Sequence, residues 1–153
     1  MGYDARQIVN WFIMRAAREG KSLSIMSLLK LAYIAHGWYL EITGRPLFKN
    51  RVEAWQYGPV IPDVYKTFRP QGVTTASPHP AYPPNVSAQD EQFLEQIYGI
   101  YGNMSPFRLS ELTHEPGGPW ETARKWGGWY AEIPDDLTKS HYVLKRQQAN
   151  RVQ

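Results

Sequence analysis

The side chains best suited to acid–base or metal chemistry in this chain are four histidines, at positions 36, 79, 114 and 141, and they are scattered. No two stand four residues apart, the spacing that sets two imidazoles on one helix face, and none forms part of a known ligand motif. No metal site is expected. His36 falls inside an apolar helical run, where a partly buried, hydrogen-bonded imidazole is the expected role. His114, within Thr113-His114-Glu115, falls at a helix end, where an imidazolium meets the negative end of the helix dipole and free carbonyls; that structural role accounts for it without catalysis. Glu53 and Glu115 would form an acid–base pair only if folding brought them together. No serine sits in a nucleophile elbow. Gly117-Gly118 and Gly127-Gly128 lie among prolines and aromatics, not between a strand and a helix, so neither resembles a phosphate-binding loop. With no cysteine there is neither a thiolate nucleophile nor a disulfide framework. The chain reads as a non-enzyme, with no catalytic residue, no metal and no cofactor.

What it holds in excess is aromatic surface: six Trp and ten Tyr, with aromatics at 14% of the residues. Such side chains build cores and interfaces alike, and at Pro- and Gly-bearing turns they make rigid contact area at low entropic cost. A protein-binding module is the class this favours. Tyr57 and the run Gly58-Pro59-Val60-Ile61-Pro62 read as a turn whose backbone is hard to bury. They are therefore expected at the surface, with Tyr65 beyond them, as part of a partner-binding face. Trp55 below and the helix start at Pro62 above would hold that face preorganised. Trp126, Trp129 and Tyr130, around Gly127-Gly128, are the alternative contact cluster.

The elements that must position these residues are helical. Asp4 with Gln7 makes a capping-box start, and Ala5, Ile8, Val9, Phe12, Ile13 and Ala16 mark one apolar face of a first helix over 5–19. Leu28, Leu29, Leu31, Ala32, Ala35, Trp38 and Tyr39 recur at three- and four-residue steps in a second, over 25–43. It is capped by Ser24, stopped by Gly44 and Pro46, and apolar over so much of its circumference that it reads as the central helix. The short link between the two predicts an antiparallel packed pair. A short two-stranded element is expected near 47–56, then a helix from Pro62 to before Pro70. The stretch 70–86, with five prolines by Pro84, reads as a solvent-exposed loop of polyproline character. Further helices are expected after Ser87, with Phe93, Leu94, Ile97, Tyr98 and Tyr101 as the buried stripe, and after Ser105-Pro106, carrying Phe107, Leu109 and Leu112. Others follow from Pro119 and from Asp135 or Asp136. The count is six or seven helices in a mainly α single domain.

The residues Ser24, Leu28, Lys30, Leu31, Tyr33 and Gly37-Trp38, the segment Pro46-Leu47-Phe48 and the turn from Glu53 to Val60 together resemble the Panacea domain family. It is also called SocA-like, and its phage and mobile-element members are called GepA. Leu112-Thr113-His114-Glu115 with Pro119-Trp120 is similar to that family's later signature, and Ile133-Pro134-Asp135-Asp136-Leu137 to its closing segment, so the likeness spans about 4–142. It casts Lys30, Tyr33, Trp38, Trp55, His114 and Trp120 as structural motif residues. It implies an antitoxin that neutralises a co-encoded protein toxin by direct, stoichiometric binding. One relative acts as an adaptor that delivers its toxin to a protease, so a proteolysis adaptor is an alternative, as is a nucleic-acid-binding accessory protein of a phage or mobile element.

At 153 residues the chain can bury about 68–70% of the surface its unfolded form exposes. Residues 1–144 are expected to form the domain. Seventeen basic against fourteen acidic residues give +3, yet 137–153 holds four cations and no acid, which leaves 1–136 at −1. Residues 145–153 read as a basic, poorly ordered tail. A footprint of four cations is small for nucleic acid, so nucleic-acid binding is the weaker reading. No apolar run of membrane-spanning length and no leader precede the domain, and a cytoplasmic protein is expected.

Overall fold

A computed structural model describes residues 2–72 and 77–152, the last two by backbone alone. Helix α1 runs Ala5–Ala17 and α2 Ile25–Thr43. A hairpin of β1 (Glu53–Trp55) and β2 (Gly58–Val60) follows, then α3 (Pro62–Phe68) with a 3-10 turn at Arg69–Gln71. Helices α4 (Ala88–Tyr101), α5 (Pro106–Thr113), α6 (Pro119–Gly127) and α7 (Asp135–Val152) complete the mainly α fold.

The start and stop signals act as the sequence suggests. Asp4 accepts from the Arg6 N–H while the Gln7 side chain accepts from the Asp4 N–H, closing the capping box. Ser24 Oγ accepts from the Ser27 N–H at 3.1 Å, and Gly44 ends α2 in the left-handed region, at φ 74°. Fourteen of the nineteen α2 residues are buried, so this helix is the axis on which the other elements pack. Its most extensive neighbour is α7 rather than α1. Gly37 explains the closeness: a Cβ there would lie 2.2 Å from Tyr142 Cε2, so only a bare backbone admits that ring. Tyr142 also meets Trp38 edge-on at 4.8 Å, and Trp38 Nε1 donates to the Tyr101 hydroxyl at 2.8 Å. Tyr33 joins Thr138 at 3.1 Å across the same seam.

The strand pair lies over 53–60, so the expected range 47–56 contains only its first strand. Its register pairs Ala54 with Pro59, and this explains how proline fits. The Ala54 N–H donates to the Ala131 carbonyl and the Ala54 carbonyl accepts from Tyr130, so Pro59 faces a position that asks for no donor.

The proline loop is solvent-exposed over most of its described residues, as expected, with 73–76 outside them, and it is also tied to α1. Buried Asn10 donates to the carbonyls of His79 (2.8 Å) and Tyr82 (2.6 Å) and accepts from the His79 N–H (2.9 Å), while Arg6 lies 4.2 Å from the Tyr82 ring centroid. A single amide on α1 thus replaces the water that a loop backbone would otherwise need. The C-terminal stretch does not begin a tail at 145, because α7 continues through it. Lys145 donates to Glu115 at 2.7 Å and Arg146 to Glu41 at 2.7 Å, with Arg146 also 5.3 Å from the Trp38 ring centroid. Of the apolar residues that α5 carries, Leu109 is buried and Phe107 is 75% exposed.

Asn10→Ala should destabilise the protein by about 1–3 kcal/mol per buried group left unpaired, and it should open the 77–84 segment to protease. A melting curve with limited proteolysis checks both. An unchanged midpoint and cleavage pattern would show the loop to be held by something else.

Candidate functional site

The hairpin turn is held from two sides. Lys30, buried inside α2, donates to the Tyr57 carbonyl at 2.9 Å, and Trp120 Nε1 on α6 donates to the Trp55 carbonyl at 2.7 Å. His114, at the end of α5, lies 4.5 Å from the Trp120 ring, and its Nδ1 donates to the Ser110 carbonyl at 2.7 Å. His114 thus stands at a helix end with its Nδ1–H on a carbonyl of the last turn. Gly58 sits between these supports at φ +115°, where a Cβ would fall 2.8 Å from His114 Cε1 and 3.0 Å from Lys30 Nζ. Lys30, Trp55, Gly58, His114 and Trp120 therefore form one cluster, and its effect is to fix the path of residues 55–58.

Beside that turn lies an open groove of about 730 Å³, lined by Ile25, Met26 and Lys30 of α2, Trp55, Gln56, Tyr57 and Val60 of the hairpin, Tyr65 of α3, Arg69, Pro106, Phe107 and Ser110 of α5, and Tyr130. Its aromatic wall is connected: Trp55 meets Tyr65 at 5.1 Å and Tyr130 at 5.5 Å, both edge-on. The Trp55 Nε1 donates to Glu53 at 2.8 Å, so its polar edge is satisfied while the ring stays in the wall. Tyr130 adopts φ 67°, a left-handed conformation that strains a bulky residue. The hydrogen bond from its N–H to the Ala54 carbonyl, 2.8 Å, holds it there. Tyr57, Phe107 and Tyr130 stand 67%, 75% and 61% exposed around the opening.

Among the described residues Lys30 is the one charged side chain on the floor of this groove, Arg69 stands exposed beside it, and none of those lining it is an acid. Burial, with no carboxylate to offset it, pushes the Lys30 ammonium down to about 8.

The structure divides the expected contact residues. Gly58, Pro59, Val60 and Ile61 are buried, while Pro62 and Tyr65 are part-buried, so the turn offers mainly Gln56 and Tyr57 to solvent. The expectation that 58–61 stay at the surface is corrected because they form a strand and its exit laid on α2, with their backbone paired rather than left to water. The alternative cluster also divides. Tyr130 lines the groove, whereas Trp129 lies under Arg124 at 4.2 Å and Trp126, 82% exposed, borders a separate small depression beside Leu137. Sequence reading did not single out Met26, Arg69 or Phe107 as lining residues. A Phe one residue after a Ser-Pro helix start, on the turn facing away from Leu109, was the available signal.

The candidate acid–base residues are occupied elsewhere. Glu115 accepts from Lys145 (2.7 Å) and pairs with His141 (3.2 Å), and Glu53 accepts from Arg51 (2.9 Å) and Trp55. His36 is buried and stacked on Phe48 at 4.0 Å. Its Nδ1 accepts from the Phe48 N–H at 3.4 Å, so Nε2 carries the proton given to Asp135 at 2.9 Å. Among the described residues no group of three or more His, Asp or Glu gathers as a metal site would, and no helix is long and apolar enough to cross a membrane.

No solved structure matches this chain. The pattern of the family described as "Antitoxin SocA-like, Panacea domain" matches residues 28–121, a stretch that contains the whole hairpin, the groove floor and the Trp120 support. Antitoxin SocA of Caulobacter vibrioides (strain NA1000 / CB15N) is 33% identical over 129 residues, covering 77% of this chain and 69% of that one. The chain belongs to the antitoxin SocA-like, Panacea domain family.

Proposed function

We propose that this protein is an antitoxin-type binding module of the cytoplasm that neutralises a co-encoded protein toxin by direct stoichiometric binding, without turnover. The observation that carries the reading is the groove beside the hairpin turn, where Tyr57, Phe107 and Tyr130 stand exposed around a wall held by the chain's own ring contacts. Exposed aromatics on a preorganised frame lose little entropy on docking, and such residues dominate interface energetics. The strained Tyr130 backbone favours the same reading, since conformational strain of this kind concentrates at functional sites. Membership of an antitoxin family supports the partner being a toxin.

Co-expression with each small gene encoded beside this one should restore growth in one case, and the two proteins should purify together. Rescue should then fail for a Tyr57→Ala, Phe107→Ala double variant that melts with the parent and binds the toxin more than about 100-fold more weakly, roughly 2.8 kcal/mol. Undiminished rescue by that variant would move the contact surface away from the groove.

A further inference from the structure

The floor of the groove is chemically lopsided. Lys30 lines the groove yet is 1% exposed, and among the described residues its Nζ, with three N–H donors, has one acceptor, the Tyr57 carbonyl. A buried ammonium ordinarily has a carboxylate partner, because burial without one forfeits hydration and gains no Coulomb attraction. Here burial alone acts on it, and its depressed proton affinity is the signature. Arg69 at the same groove adds a second positive charge, and the rest of the lining is neutral and largely apolar. His114, Tyr57, Tyr65 and Tyr130 are the other titratable groups around the floor and walls.

We propose that the groove recognises an apolar segment of the partner protein that carries one carboxylate, Asp or Glu, and that this carboxylate docks on Lys30. The proposal rests on the partner-binding reading above and adds the chemistry that is read. The aromatic wall takes the apolar side chains, while the carboxylate accepts the Lys30 N–H groups left over from Tyr57. A groove of about 730 Å³ lies within the usual range of roughly 300–1,000 Å³ for sites that enclose a drug-sized ligand, enough for a few side chains and not for a folded domain. The carboxylate also supplies a basis for specificity: a partner lacking it leaves the ammonium desolvated and unpaired, whereas a misplaced Lys or Arg meets two like charges.

The test uses a displayed library of random twelve-residue peptides, selected on the full chain and washed for binders that Phe107→Ala fails to retain. Enriched sequences should hold Asp or Glu beside aromatic or aliphatic residues. Changing that acid to its amide should weaken binding at least tenfold on the parent and less than twofold on Lys30→Met. Parent affinity should also fall between pH 7 and pH 9, as Lys30 loses its proton near 8, and the Lys30→Met affinity should stay level across that range. If Lys30→Met does not fold, the acid-to-amide comparison and the pH series on the parent decide the matter alone. Enriched peptides without an acid, an amide form that binds equally well, or a selection that yields no Phe107-dependent binder would each overturn the proposal. No toxin takes part in this selection, so its failure leaves stoichiometric neutralisation standing. Loss of toxin rescue with the peptide preference intact would instead remove the antitoxin reading.

Discussion

Leu31→Ala should lower stability by about 2–5 kcal/mol, the range for deleting a fully buried leucine side chain. Leu31 is 0% exposed at the middle of α2, the element against which α1, α3, α4, α5, α7 and β2 all pack. The hole therefore opens where several elements meet, and such a site has little freedom to collapse. For a domain of this size the loss corresponds to a midpoint roughly 4–20 °C lower. A thermal unfolding curve decides it, and an unchanged midpoint would mean that α2 is not the axis of the fold. The same variant should lose toxin binding only as far as it unfolds, since Leu31 does not line the groove.

The second large effect is a dependence of stability on pH that belongs to Lys30. In the unfolded chain this lysine titrates at its ordinary value of 10.5, and in the folded protein at about 8. Its folded value is depressed, so the unfolded state binds more protons between these two pH values and stability rises with pH across that window. Below about 8 both states are charged and the full penalty of burying the ammonium applies, on the order of 3 kcal/mol. The rise should be visible from pH 8 to about 10. Above that, Tyr33 and Tyr142 act in the opposite direction, because burial raises both hydroxyls and the unfolded tyrosines ionise first. Chemical denaturation of the parent and of Lys30→Met across pH 7–10 isolates the lysine. The stability of the parent relative to Lys30→Met should rise with pH, and parallel curves would show that Lys30 is solvated in the free protein. Lys30→Met also leaves the Tyr57 carbonyl without its donor, so its stability at neutral pH is a balance of two opposed changes and only the slope is diagnostic.

The helical frame was legible because its signals are local. Asp4 with Gln7, Ser24 with Gly44, Ser87, and Ser105-Pro106 each satisfy or terminate a helix end using residues adjacent in the chain, and the structure places those ends where the pattern puts them. The prominence of Lys30 and Trp120 was legible only through the family resemblance, and their purpose was not. Each reaches a carbonyl of the hairpin across a long stretch of chain, and no periodicity encodes such a contact. Residues 58–61 looked exposed because a Gly-Pro pair usually marks a surface turn. The fold buries them by giving Ala54 its partners on the far edge, through Tyr130 and Ala131. Asn10 was silent for a related reason: a lone polar residue within an apolar helix face carries no sign of which distant loop it will hold. The helical character of 145–150 was masked by its composition, for its support comes from Glu41 and Glu115, which sit on other elements.

The central claim is that the protein acts by occupying its toxin, and titration of the toxin encoded beside it tests this most directly. Toxin activity would be followed as the protein is added in measured fractions, with native mass spectrometry of the mixture at each point. Activity should fall linearly to zero at one whole-number ratio, with every toxin molecule found in a complex whose mass is the sum of its unaltered parts. Full neutralisation by a small fraction of that amount, or a toxin whose own mass has changed, would contradict the account and make this protein a catalyst.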